Sequence, residues 1–187
     1  MFMFGLFEIV TALTEVGGVD TNCVNDTGTT PLIWAARAGH EAVARLLLGQ
    51  EDASPDRLDN HGQTPTSWAA VNGHAVVVRL PLGREEVNPD RPDDHGRTPN
   101  SWAAEGRNEA VVETLLERGE VNPDRPITMT KRQSCGPLNE HEGVVEVLLE
   151  REDVSPNRLG NRGQVQISWA LGIDMRKQYA TARDRKR

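Results

Sequence analysis

The sequence predicts an all-α solenoid of stacked helix-turn-helix units joined by turn or β-hairpin-like fingers. Two observations carry this. Trp34, Trp68 and Trp102 are spaced by 34 residues, and Thr30-Pro31, Thr64-Pro65 and Thr98-Pro99 keep the same interval. Each of these blocks is followed by a Val/Leu-rich stretch with three- and four-residue apolar spacing, the pattern of an amphipathic helix. A fixed period of this length marks a repeat architecture, in which no unit buries its apolar face alone.

The units read GTTPLIWAARAGHEAVARLLL, GQTPTSWAAVNGHAVVVRLPL and GRTPNSWAAEGRNEAVVETLL. Thr30, Thr64 and Thr98 are placed to cap a helix N-terminus, and the proline after each sits at the first helical position, where its missing N–H is harmless. The Trp-Ala-Ala run places one large and two small side chains on a short first helix. The alanines allow close approach of a neighbour, and the tryptophan row is expected to pack into the core beside them. Gly39 and Gly73 end the first helix through a left-handed residue. Val43, Leu46 and Leu47, like Val111 and Leu115, then mark the second helix. The linkers EDASPDRLDNHG, EEVNPDRPDDHG and GEVNPDRPITMT are turn sequences.

Gly62, Thr64, Pro65, Ala69, Ala70, Gly73 and His74 together resemble the ankyrin repeat, whose usual core is G-x-T-P-L-H-x-A-A-x-x-G-H before a Val/Leu-rich helix. Ile33, Ser67 and Ser101 stand where that family usually has His, and Trp follows. The period exceeds the common 33-residue form by one, a variant that resembles the long ankyrin arrays of filamentous fungi. The resemblance implies a non-enzymatic scaffold for protein–protein interaction. A protein partner would lie on a concave surface of fingers and first helices. The variable finger positions are Asp26, Thr27, Thr29, Asn60, His61, Gln63, Asp94, His95 and Arg97, and these are the candidate protein-binding residues. Val71, Asn72, Glu105 and Gly106 extend that surface along the helix ends.

The expected organisation is a single array over 1–187. Residues 1–24 form an N-terminal half-repeat, because Ile9, Leu13 and Gly28 align with Val43, Leu47 and Gly62 one period later. Full repeats cover 25–58, 59–92 and 93–126. A degenerate repeat covers 127–160, in which His141, Glu142, Val144, Leu148 and Leu149 preserve the second helix while Ile127–Leu138 lacks Thr-Pro, Trp and the Ala pair. Read one nucleotide earlier, that stretch allows a Thr-Pro-Val-x-Trp-Ala-Ala unit, so it is expected to be a compensated frameshift, a reading the codons test. Residues 161–187 hold a truncated repeat, with Trp169 but Val165-Gln166 in place of Thr-Pro, and a basic tail. Residues 26–120 are expected to form the ordered core. Pro81, in the register of Leu47 and inside a helix, should cost about 3 kcal/mol or more.

Composition excludes several classes. A formal charge of −7 and a pI near 5.3 oppose nucleic-acid binding, which needs a basic stripe. Arg176–Arg187 is a basic cluster of the kind found in nuclear signals and nucleic-acid contacts, but reads more simply as a solvated end. Cys23 and Cys135 offer neither a disulfide framework nor a zinc site. His40, His74 and His141 are placed to order turns. His61 and His95 lie one repeat apart, about 8–10 Å, too far to share an ion. Glu51-Asp52, Glu85-Glu86 and Glu152-Asp153 line one edge, solvated or offered to a basic partner. No apolar run reaches the roughly 20 residues that span a bilayer, and the N-terminal MFMFGLFEIV lacks a basic leader. No catalytic motif occurs. The expectation is a monomer, cytoplasmic or nuclear, without cofactor, metal, nucleic acid or membrane. Two further readings stay open: a recognition fragment of a larger intracellular signalling receptor, and a degraded or mispredicted paralogue without a selected partner.

Overall fold

The computed structural model describes residues 20–117 together with 121, 143, 144 and 147. Within residues 20–117 six helices follow in order: α1 (Pro31–Ala38), α2 (Glu41–Leu48), α3 (Pro65–Val71), α4 (Ala75–Leu82), α5 (Pro99–Glu105) and α6 (Glu109–Leu116). There is no strand among the described residues. Residues 1–19 of the expected half-repeat 1–24, the altered stretch 127–138, the truncated fifth unit and the basic tail lie outside them.

Each first helix begins as its threonine dictates. Thr30 Oγ1 accepts from the Ile33 N–H at 3.1 Å, Thr64 Oγ1 from Ser67 at 3.0 Å and Thr98 Oγ1 from Ser101 at 3.2 Å. All three caps are buried, so these bonds satisfy donors that water cannot reach. Gly39 and Gly73 adopt φ of 72° and 77° at the reversal into the second helix. The third unit places Arg107 there at φ 59°, the single non-glycine with positive φ among the described residues.

First helices stack on first helices, α1 on α3 and α3 on α5, and second helices on second helices, α2 on α4 and α4 on α6. The alanine pairs Ala35-Ala36, Ala69-Ala70 and Ala103-Ala104 are buried in the first stack, and Leu47, Leu48, Val77, Val78, Leu82, Val111, Val112 and Leu115 fill the space between the layers. Val144 is buried against the same core and Val147 packs on it, both in helical backbone.

The linkers are tied by a repeating arginine. Arg57 Nη1 donates to the Asn22 carbonyl at 3.1 Å, and Arg91 Nη1 donates to the Asp56 carbonyl at 3.2 Å and to Asp56 Oδ2 at 2.9 Å. The first and second units thus each reach back one period to hold what precedes them.

Pro81 is buried and α4 continues through it to Leu82. The helix ends one residue later, so the proline disturbs the last turn instead of breaking the element.

Candidate functional site

The fingers are built around one acceptor per unit. Asn25 Oδ1 accepts from the Thr27 and Thr29 N–H groups at 3.1 and 2.9 Å, and Asp59 Oδ1 from His61 and Gln63 at 2.9 Å each. Asp93 Oδ1 does the same with His95 and Arg97, both at 2.9 Å. Gly28, Gly62 and Gly96 close these turns at positive φ, a conformation open to glycine without penalty. Successive fingers are then laced together: Asn60 N–H bonds the Thr27 carbonyl at 3.0 Å and Asp94 N–H the His61 carbonyl at 3.2 Å.

This lacing brings the finger residues into one surface. Asp26, Thr27, Asn60, His61, Asp94 and His95 are exposed at the tips, and Thr29 and Arg97 are half-buried. Gln63 is buried instead. Asn60 also donates through Nδ2 to the Asp26 carbonyl at 3.0 Å, so its side chain braces the neighbouring finger. Val71 and Glu105 are half-buried, and Asn72 and Gly106 exposed, at the ends of the first helices.

The tryptophan row meets the expectation of core packing only in part, with Trp102 packed against the buried core and Trp34 turned out of it. Trp34 is 52% exposed, and Trp68 and Trp102 are only partly buried. The reason is helical register. At about 100° per residue, Leu32, Ile33, Ala35 and Ala36 share one side of α1, and the residue between the two pairs points away from it. The positions that sink instead are Ile33, Ser67 and Ser101, all buried; the two serines are satisfied by the cap threonines, whose hydroxyls lie 3.0 Å from theirs.

The indoles are held by charged groups. Trp68 Nε1 donates to Asp59 Oδ2 at 2.8 Å, and Trp102 Nε1 to Asp93 Oδ2 at 3.1 Å. The buried finger aspartates therefore anchor both a turn and an aromatic ring. Arg37 lies over Trp34 and Trp68, 5.6 and 4.7 Å from their ring centroids, within cation–π range of both. In the third unit Arg97 stacks on Trp102 at 3.5 Å, with its Nε 3.4 Å from Asp93 Oδ2 and its Nη1 3.6 Å from Glu105 Oε2. Burial raises the Glu105 carboxyl above its ordinary value; Arg97 opposes this, and the nearby Asp93 charge reinforces it. Asp59, Asp93 and Arg37 were not singled out in the sequence, although an aspartate nine residues before two of the three tryptophans was a readable signal.

The remaining polar groups serve structure. The His74 imidazole lies where a Cβ on Gly39 would fall, 2.6 Å away, and Asn108 takes the same place in the third unit, its Nδ2 donating to the Ala70 and Val71 carbonyls at 2.8 and 3.2 Å. On the acidic edge, Asp52 Oδ1 accepts from Thr21 Oγ1 at 3.2 Å and Glu86 pairs with Arg84 at 3.2 Å. No cluster of three metal-ligating side chains occurs among the described residues, and none of the described helices is long and apolar enough to cross a membrane.

The chain matches the family model for ankyrin repeats in three copies, over residues 2–89 and 51–126. No curated protein matches it.

Proposed function

Because the chain belongs to the ankyrin-repeat family, whose repeats are generally protein–protein interaction modules, we propose that it is a non-enzymatic scaffold that docks a protein partner on its fingers and first helices. The observation that carries this reading is an aromatic and cationic row, exposed at Trp34 and Arg37 and half-buried at Trp68, Arg97 and Trp102. Trp34, Arg37, Trp68, Arg97 and Trp102 lie along one face of three stacked units, beside the tips Asp26, Thr27, Asn60, His61, Asp94 and His95. Tryptophan and arginine are the side chains that most often dominate interface energy. Rigid presentation adds to this, since ordering loose side chains on binding weakens affinity. Thr29 and Gln63 support the surface from behind, Gln63 by filling the finger base. A face of this kind suits a protein in the cytoplasm or nucleus, engaged by a monomeric array.

The test is affinity capture with the full chain and with a variant carrying His61→Ala, Asp94→Ala and Arg97→Ala, each preparation checked for native helical content. Proteins retained by the first and released by the second support the docking face. Identical retention by both sinks it.

A further inference from the structure

The third unit shows how this fold assembles a carboxylate, an indole and a guanidinium. Asp93 Oδ2 accepts from Trp102 Nε1 at 3.1 Å and lies 3.4 Å from Arg97 Nε, while Arg97 stacks on the same ring. The first unit holds two of the three components. Trp34 is 52% exposed and Arg37 lies between it and Trp68, but the finger position that is Asp59 and Asp93 in the later units is Asn25. Its Oδ1 already accepts from Thr27 N, Thr29 N and Thr27 Oγ1. That engagement leaves its Nδ2 as the other terminal atom, and an amide nitrogen can donate only. Asn25 therefore cannot receive the indole N–H as the aspartates do. Among the described residues, no carboxylate pairs with Arg37 and no acceptor takes the Trp34 N–H.

We propose that an aspartate or glutamate of the partner protein supplies the missing carboxylate, bound by the Arg37 guanidinium and the Trp34 indole N–H. This rests on the reading of the first-helix face as the docking surface and names the chemistry of what it holds. Arg37 is suited to it. Two indoles lie against its planar fork, the residue is exposed, and such a fork matches a carboxylate in bidentate geometry. The arginine also gives the face local positive charge within an acidic chain, so that a single acidic side chain is favoured there and a polyanion is opposed by the net charge of −7.

The experiment is a selection of random displayed peptides against the full-length chain, followed by calorimetric titration of a selected peptide with three variants. Peptides sharing an Asp or Glu are expected. Arg37→Gln should weaken their binding roughly tenfold or more, the effect of one lost charge-assisted hydrogen bond. Asn25→Asp should weaken it similarly while preserving the fold, because it gives Trp34 the internal acceptor that Asp59 gives Trp68. Replacing the acidic residue of the peptide by its amide should remove the difference between the parent and Arg37→Gln. Selected peptides without an acidic residue that lose affinity on His61→Ala would overturn the proposal and leave the docking face standing. Peptides indifferent to Arg37, Asn25 and His61 alike would overturn both. A single-stranded oligonucleotide that displaces the peptide and outbinds it would overturn the carboxylate in favour of phosphate.

Discussion

Glu105 is where three charges compete most closely. Its side chain lies at the end of α5 against Arg97, and desolvation raises its carboxyl despite the attraction of the guanidinium. Glu105 Oε2 is buried without a hydrogen-bond partner, which fits a net penalty on the ionised form. The folded state therefore holds this proton more tightly than the unfolded chain, where the ordinary value of 4.5 applies. The stabilising contribution is full below that value and is lost as pH rises through the higher folded one. Glu105→Gln should thus gain stability relative to the parent between acid and neutral pH, then run parallel to it. Urea unfolding across a pH series reads this difference; a gain that shrinks with rising pH would mean that the Arg97 attraction outweighs burial.

Within an element, the consequence of a residue depends on where in the helix it falls. Pro81 lacks the N–H that Leu47 contributes in α2, yet it stands next to the last residue of α4, and Leu82 is still buried. Pro81→Leu restores one hydrogen bond, removes the ring's clash with the preceding turn and keeps the site apolar, so it should stabilise the chain, by less than the roughly 3 kcal/mol of a proline in a helix interior because the last turn absorbs part of the disturbance. Chemical denaturation measures it, and a midpoint that does not move would place the native backbone beyond repair by leucine. The helices themselves were legible because caps, three- and four-residue apolar spacing and Thr-Pro register are local properties of the chain. The direction of Trp34 was also local: a large apolar residue beside an Ala pair suggests core, but the buried pairs on either side of it fix the opposite direction. The Asp59–Trp68 bond joins finger to helix across a turn, and identifying it required knowing which way the ring points. Arg37 spans two units, so its partners could not be read from either unit alone.

Across the described residues, the spacing of the aromatic row is set by the buried alanines behind it. Ala69 and Ala70 on α3 are fully buried, and α3 touches both α1 and α5. Small side chains permit this closeness, and larger ones would separate the helix axes. Ala69→Leu adds volume at a site with no room, which should cost about 1–3 kcal/mol by forcing side chains and backbone to shift. An array with contacts only between neighbours transmits such strain by one step at a time. Amide hydrogen exchange in the variant should therefore quicken most in α3, next in α1 and α5, and through them in the finger bonds Asn60 N–H to Thr27 and Asp94 N–H to His61. The same displacement moves Trp68 away from Arg37, so affinity for a partner held by the aromatic row should fall along with protection. Loss of protection confined to α3, with α1, α5 and the fingers unchanged, would show that the units hold their geometry independently and that the alanine stack does not set the register of the binding face.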